Sequence, residues 1–472
     1  MKKLAILAVL ACMVFGFAAS ASAVDLDAKG QFQFQMNMID NANFLNDKDS
    51  ATRGNDDLNF WFRARTEFRF IANENLWAVL YTQYKNRVGD GGLNTDSTNA
   101  DDNSLTIKRA YLQFRFPGTE VLTTAGIAPV DLPGAAAGNM VLAGTERGLF
   151  MVETPITDQI ALAGAFIRNT DRFNTDTVAG AATANNRKDE IDIFYAALPI
   201  TIDGLSATPY FAYSIIGNAA AAGNAAVAGF AAPGTAAQTK NANAWWLGTS
   251  FAMDMFDPIV FNADIVYGAV DGDVKQNDRS GLFFDASLAY TGMDFVQPKL
   301  VFAYGTGEDD KTENGSERLP VIANDWAFGS TYFGGSALTS ADLDSDEQSG
   351  FWTVGLSLEK ISFFEKLSHD IHLLYIQGTN DKDLIKSATA GVTNTNIAAD
   401  GNFLTTKDNA FEVDFNTNYQ IYDELAAIVE FGYVNMNLDK NVWENSPVTG
   451  AAARAGKDAD CLKFAVGLVY KF

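Results

Sequence analysis

Large apolar residues alternate with small or polar residues along most of the chain. The last segment shows this most regularly, because every second residue from Leu462 to Phe472 is large and apolar, while Lys463, Gly467 and Lys471 lie between them. Successive side chains of a β-strand point to opposite faces of the sheet. A period of two therefore predicts a strand with one apolar face and one small or polar face.

The same alternation recurs in earlier segments, which indicates a sheet of many strands. It is clear in residues 32–38, 58–70, 109–116, 259–267 and 411–419. In a soluble sandwich the apolar face would pack on a second sheet, whereas in a membrane barrel it contacts lipid and the other face lines a wet interior. Among β-structures, only a closed barrel pairs every backbone polar group within lipid. We therefore expect a transmembrane antiparallel β-barrel.

Short and long connections alternate between these segments, as in outer-membrane barrels with short periplasmic turns and long extracellular loops. Short connections are expected near residues 72–74, 117–118, 155–158, 199–203, 254–257, 291–294, 362–366 and 422–423. Long connections are expected near residues 39–57, 87–103, 128–147, 169–187, 217–243, 270–279, 306–349, 380–407 and 437–457. The layout predicts 18 strands, with 16 as the alternative because residues 147–168 are weakly patterned. Both termini are then periplasmic.

Tyrosines near strand ends are expected on the lipid-facing side, where aromatic residues form girdles at the membrane interfaces. The predicted set is Tyr195, Tyr267, Tyr290, Tyr304, Tyr375, Tyr433 and Tyr470.

The N-terminus has the pattern of a cleaved signal peptide. Lys2 and Lys3 precede an apolar stretch, residues 4–19, and the following Ala21-Ser22-Ala23 fits a signal-peptidase site. We predict that residues 1–23 are removed and that residues 24–472 form a single barrel. A lipoprotein acylated at Cys12 is the alternative, but its apolar region would be unusually short.

Composition and charge narrow the class of protein. Apolar residues are 47% of the 472-residue chain, yet the mean hydropathy is −0.03 and no apolar run after the N-terminus is long enough for a membrane helix. The net charge of −24 argues against a nucleic-acid partner. Many acids lie in predicted extracellular loops, such as residues 308–310 and 342–347, where they would face lipopolysaccharide and divalent cations.

The residues that usually carry catalysis or bind metals are scarce. Once the signal peptide is removed, Cys461 is the single cysteine, so no internal disulfide is expected. The only histidines, His369 and His372, are three positions apart and would face opposite sides of a strand. We therefore expect no metal site, no cofactor and no enzymatic activity.

Several short motifs resemble those of known porins. The C-terminal residues 469–472, with Tyr470 and the terminal Phe472, resemble the signal by which outer-membrane barrels are recognised for insertion. Residues 107–114, followed by a turn and residues 121–126, resemble the fourth and fifth strands of the Gram-negative trimeric general porins. Over its full length the chain is most similar to the homotrimeric outer-membrane porins of sulphate-reducing bacteria.

This resemblance implies a passive-diffusion pore in the outer membrane. In that family the loop after the fifth strand, here 128–147, folds into the barrel, and its acids, here Asp131 and Glu146, face a basic wall. The strand periodicity places five arginines on inward-facing positions of that wall, the first three near mid-strand and the last two near the periplasmic rim: Arg63, Arg65, Arg109, Arg69 and Arg115. The loop departs from the family pattern because it is rich in alanine and glycine and has few acids.

The expected function is passive diffusion of small hydrophilic solutes and ions through a constricted, water-filled lumen. A channel specific for a sugar, an amino acid or a small anion is an alternative that Trp61, Trp77, Tyr81 and Tyr111 leave open. A structural surface protein or adhesin with little conductance is another, which a lumen plugged by the 306–349 loop would favour. The expected partners are two further copies in a homotrimer, lipopolysaccharide and outer-membrane lipids, the barrel-insertion machinery and small solutes.

Overall fold

The computed structural model describes residues 24–42, 44, 58–87, 105–170, 190–217, 240–272, 275–311, 314–338, 350–387, 404–444 and 458–472. In these residues, 18 antiparallel strands form one closed barrel in which each strand pairs with its neighbours in sequence and the last pairs with the first. The prediction of 18 strands is confirmed, and the alternative of 16 is wrong. The predicted signal peptide lies outside the described residues.

The strands follow the chain order around the barrel. They are β1 Asp25–Asp40, β2 Leu58–Asn73, β3 Leu76–Arg87, β4 Leu105–Arg115, β5 Leu122–Val130, β6 Thr145–Pro155, β7 Ala161–Thr170, β8 Ile191–Ala197 with Ile200–Ile202, β9 Leu205–Ile216, β10 Ala242–Phe256, β11 Ile259–Asp271, β12 Arg279–Tyr290, β13 Gln297–Gly305, β14 Phe351–Phe364, β15 Leu367–Gly378, β16 Asn409–Tyr422, β17 Leu425–Asn437 and β18 Asp458–Lys471. Strand β8 is interrupted at residues 198–199, and both of its parts pair with β9.

In the described residues, helical structure occurs in the long connections. It comprises two short helices, α1, Lys382–Ser387, and α2, Lys440–Trp443, and a 3₁₀ turn over Lys275–Asn277. Within the described ranges, no helix has the length and apolar character needed to cross a membrane.

The barrel closes between β1 and β18. Phe34 lies across from Leu468 in this antiparallel pair. The backbone N–H of Gly30 donates to the carbonyl of Phe472 at 2.9 Å, and the N–H of Phe472 donates back to Gly30 at 3.0 Å. The terminal residue therefore contributes to the seam that removes the free edges of the sheet.

The outer surface carries the apolar members of the alternating pattern, as predicted. Phe34 and Leu468, for example, are both more than 40% exposed on the outside of β1 and β18. The outward assignment holds for Tyr267 and Tyr290 but is wrong for Tyr195, whose ring lies 6.4 Å from the inward-facing ring of Tyr210.

The inner surface has two unlike parts. On β1 the inward residues from Gln31 to Asn37 are amides, including Gln33 and Gln35. On the half of the barrel that includes β10, β12 and β15, the inward residues include large apolar side chains such as Trp246, Phe283 and Leu374, all at most 2% exposed. The prediction of a polar interior is therefore wrong for this half, because two connections fold inward and cover it.

These two connections meet inside the barrel. Residues 131–144, between β5 and β6, are named here the crossing loop, and residues 314–338 are named the filling segment. The N–H of Ile322 donates to Val141 O at 2.8 Å, and the N–H of Ala143 donates to Ala323 O at 2.8 Å. The two connections thus form one hydrogen-bonded unit in the lumen.

An aromatic cluster fixes the filling segment against the wall. The ring of Trp326 lies 5.0–5.6 Å from four other rings, two on the strands and two in the segment itself: Phe283, Phe351, Phe328 and Phe333. Trp326 is 1% exposed. Aromatic pairs at this spacing add about 0.5–1.5 kcal/mol each to the energy of burial, so the segment has a packed core of its own.

Candidate functional site

The five predicted arginines face the interior on β2 and β4 and are named here the basic wall. Arg63 and Arg65 lie near the middle of β2, where they pair with Gln33 and Gln31 of β1. Each of these two arginines donates a hydrogen bond to a neutral side-chain amide. The Arg63 guanidinium donates to Gln33 Oε1 at 2.6 Å, and Arg65 Nε donates to Gln83 Oε1 at 2.7 Å.

Arg109 has a different environment because carboxylates surround it. Its guanidinium lies 3.3 Å from Glu146 and 3.9 Å from Glu67, and it stands 4.8 Å from the centre of the Tyr81 ring. Lys108 also contacts Glu146, at 3.1 Å. The charge of Arg109 is therefore partly compensated, in contrast to that of Arg63 and Arg65.

Arg69 and Arg115 lie towards the periplasmic end, as predicted from their positions on the strands. Both guanidinium groups stand over the ring of Trp77, at 4.7 Å and 5.9 Å from its centre. The indole N–H of Trp77 donates to Gln113 Oε1 at 2.9 Å, which holds the ring in place. Cations over an indole face gain about 0.5–2 kcal/mol.

The two acids expected on the crossing loop have other positions. Glu146 is the second residue of β6 and forms ion pairs with Arg109 and Lys108 directly. Asp131 is exposed, and its Oδ1 accepts the N–H of Gly144 at 2.6 Å, so it joins the two ends of the loop. Asp325 of the filling segment, which the sequence did not single out, is exposed with its side chain against Gly144.

Carboxylates of β11 and β12 hold the crossing loop and part of the filling segment. Asp264 of β11 accepts the backbone N–H groups of Ala135 and Ala136 at 2.7–2.9 Å. Asp285 of β12 accepts the indole N–H of Trp326 at 2.9 Å. The alternating pattern indicates that both acids face inward, but nothing in the sequence identifies their partners.

Three further acids anchor the rest of the filling segment. Asp414 of β16 accepts the Ser330 N–H at 2.7 Å, and Glu412 accepts the N–H groups of Thr331 and Tyr332 at 3.1 and 3.2 Å. Glu430 of β17 accepts the Ala337 N–H at 2.8 Å and the Ser336 hydroxyl at 2.6 Å, and it pairs with Lys463 at 2.8 Å.

Basic and acidic side chains occupy different strands of the inner wall. Cationic side chains lie on β2 and β4, and the acids that hold the two inward connections lie on β11, β12, β16 and β17. These acids belong to the wall and not to the crossing loop, and they serve as anchors for the two connections.

The two histidines face opposite sides of β15, as predicted. The ring of His369 stacks 5.3 Å from outward-facing Phe415, while His372 Nδ1 lies 2.8 Å from the inward hydroxyl of Ser357. Among the residues that the structure describes, no three His, Cys, Asp or Glu side chains are arranged to hold a metal ion.

Tyr470 and Phe472 lie at the barrel seam. The Phe472 ring is 5.9 Å from both Phe32 and Tyr470. Both residues therefore have a structural place in closure, while their predicted role in recognition for insertion stays a prediction.

Comparison with proteins of known structure identifies similar folds. No protein-family model matches the chain, and no curated protein matches it. The outer membrane protein OprD of Pseudomonas aeruginosa superimposes with a TM-score of 0.51 and 13% identity, covering 96% of this chain and 95% of that one. Pseudomonas aeruginosa OccK11 (OpdR) superimposes with a TM-score of 0.51 and 10% identity, covering 95% of this chain and 96% of that one. Acinetobacter baumannii OccAB4 superimposes with a TM-score of 0.51 and 12% identity, covering 96% of this chain and 100% of that one.

The chain has an outer-membrane porin fold. The likeness extends over nearly the full length of both chains. At these identities it establishes the fold alone, and the resemblance to the trimeric porins of sulphate-reducing bacteria stays a prediction.

Proposed function

We propose that this protein is an outer-membrane channel through which small hydrophilic solutes diffuse passively, with a preference for solutes that carry an anionic group. One observation carries the proposal: Arg63 and Arg65 line the lumen without forming an ion pair with any residue that the structure describes. The barrel fold, which occurs in outer-membrane proteins, supports the location.

The mechanism needs no chemistry. An anionic solute entering the lumen exchanges part of its hydration shell for guanidinium donors, whose planar N–H groups match carboxylate and other oxyanions. The rings of Tyr81 and Trp77, which lie beside Arg109 and Arg69, offer apolar surface on the same wall. Together with the narrowing by the filling segment, this favours the substrate-selective alternative over an unselective pore.

Water access along the basic wall argues against a plugged structural protein. The side chains of Arg109 and Lys108 face the interior, yet they retain 28% and 33% of their exposure. The hydrogen bonds that hold the filling segment come from β12, β16, β17 and β18, whereas the basic wall lies on β2 and β4. A solute path beside the basic wall is compatible with this arrangement.

The test is single-channel conductance of the mature protein in a planar bilayer, with the reversal potential measured under a salt gradient. The triple variant with Arg63, Arg65 and Arg109 replaced by alanine should move the reversal potential towards cation selectivity. The control is Arg168→Ala, because Arg168 pairs with Asp192 at 2.8 Å on the outer face. A folded wild-type barrel that does not conduct would contradict the proposed function.

We further propose that the chain is exported by cleavage after Ala23 and assembles as a homotrimer in contact with lipopolysaccharide. N-terminal sequencing of protein purified from outer membranes should begin at Val24. Unheated electrophoresis should give a band near three times the mass of the heated chain, and a band at the monomer mass would contradict the trimer.

A further inference from the structure

Neutral amides, and not carboxylates, hold the two central arginines of the basic wall. Gln33 lies across from Arg63 in the β1–β2 pair, and Gln83 lies across from Arg65 in the β2–β3 pair. Each amide oxygen accepts a short hydrogen bond from its arginine, at 2.6 Å and 2.7 Å. An amide oxygen orients a guanidinium group as a carboxylate does, but it leaves the positive charge uncancelled.

The amide that holds Arg63 is itself fixed in position. Gln33 is 1% exposed, and its Nε2 donates to Gln35 Oε1 at 2.7 Å, while the Gln31 amide donates to Gln33 Oε1 at 3.5 Å. This row of amides runs along the inner face of β1. Because these hydrogen bonds restrict rotation of the Gln33 side chain, they also fix the orientation of the Arg63 guanidinium that donates to it.

The nearby acids are occupied elsewhere. Glu67 faces the same side two residues from Arg65, but it contacts Lys29 at 3.2 Å and Arg109 at 3.9 Å. Glu146 is held by Lys108 and Arg109. In the described part of the chain, Arg63, Arg65 and Arg69 form no ion pair. The Arg69 guanidinium stands over the Trp77 ring, so Arg63 and Arg65 are the wall cations that are held by neutral amides alone.

We propose that Gln33 and Gln83 are selectivity-determining residues of the channel, because they fix Arg63 and Arg65 in place while leaving both charges available to anionic solutes. The inference rests on the proposed function and adds to it the source of the anion preference. A carboxylate at either position would keep the hydrogen bond and cancel the charge that the passing solute meets.

The experiment introduces one carboxylate at a time. Gln33→Glu and Gln83→Glu should each lower the anion-to-cation permeability ratio, from reversal potentials in a potassium chloride gradient, by roughly fivefold, the Boltzmann factor for one unit charge about 4 Å away in water. Single-channel conductance should change far less, because the side-chain volume is the same. Gln83 is partly exposed. If a charge at the buried Gln33 position prevents the protein from inserting into the bilayer, the Gln83→Glu variant alone is sufficient for the test.

Gln113→Glu is the matched control. Gln113 faces the same lumen from β4 but, within the described residues, it forms hydrogen bonds with Trp77 and Thr124 and none with an arginine. It lies across from Trp77, six residues along β3 from Gln83, which is roughly 20 Å and about two Debye lengths at 0.1 M salt. The same added charge should therefore change the permeability ratio clearly less.

Three results would overturn the inference. The first is an unchanged permeability ratio in both glutamate variants when the triple arginine-to-alanine variant does shift it, which leaves the proposed function intact. The second is an equal shift in Gln113→Glu, which would mean that any added charge suffices. The third is a folded wild-type channel without conductance, which would remove the proposed function and this inference together.

Discussion

Lys463 and Glu430 form an ion pair with an Nζ–Oε2 distance of 2.8 Å, and both side chains are at most 1% exposed. The Lys463 ammonium also donates to the backbone carbonyl of Ser330 in the filling segment. One cation thus links β17 and β18 to the segment that narrows the lumen. Removing one partner of a buried pair leaves the other charge without compensation.

We expect Lys463→Met to lower the free energy of unfolding by about 3–5 kcal/mol, measured by urea titration in detergent micelles. Adding Glu430→Gln should restore part of the loss, because the uncompensated carboxylate is then absent. The control is Lys440→Met. Lys440 and Glu444 are 3.8 Å apart and exposed, and such pairs contribute about 0.5 kcal/mol or less. Equal losses in the two methionine variants would contradict the buried role.

Replacing Asp264 should release the crossing loop. The Asp264 carboxylate accepts the N–H groups of Ala135 and Ala136, so Asp264→Ala leaves that turn without its anchor. We expect larger and noisier single-channel currents than in the wild type. Asp192→Ala is the control, since Asp192 pairs with Arg168 on the outer face. Unaltered current in the Asp264 variant would mean that the loop is held by its other contacts alone.

Gly329 should not tolerate a side chain. Its φ of +84° is strained for other residues, and an added Cβ would lie 2.7 Å from Glu412 Oε1 and 2.9 Å from Asp414 Oδ2. Gly329→Ala should therefore displace the filling segment and speed proteolysis within residues 314–338. Gly118→Ala is matched in backbone strain, with a φ of +76° and no atom within 4 Å. The Gly118→Ala variant should lose only about 1 kcal/mol of folding free energy through backbone strain. Proteolysis of the filling segment should not become faster.

A substitution at Phe472 can distinguish a role in barrel closure from a role in recognition by the insertion machinery. Phe472→Ala removes the ring contacts with Phe32 and Tyr470 but keeps the backbone bonds to Gly30. We expect assembly in cells to fall more than spontaneous folding of the purified chain into lipid vesicles, because only cells contain the insertion machinery. Equal reduction in both assays would assign the residue a purely structural role.

The strands could be predicted because their signal is local. In β18, outward Phe464 and Leu468 alternate with inward Lys463 and Gly467, and a period of two is imposed by the backbone itself. The inward parity of the arginines followed from the same rule. These features need no knowledge of distant residues.

The part of the lumen that the filling segment occupies could not be predicted in this way. On β12, inward Phe283 and Asp285 have partners in a segment about 40 residues further along the chain, and no local pattern connects them. Tyr195 was misplaced for a related reason. Its strand is apolar on both faces, with Ile193 buried inside and Phe194 exposed outside, so alternation does not distinguish them.

The attachment of the filling segment has a consequence for engineering the pore. Its backbone N–H groups and Lys463 are the partners of Glu412, Asp414 and Glu430. Excising residues 314–338 would widen the passage and at the same time strip these carboxylates of their shielding. The enlarged pore would then present an acidic lining in addition to the arginines, and its preference would turn towards cations. Shortening this insert therefore changes pore width and ionic preference together, whereas the amides beside the arginines alter the preference alone.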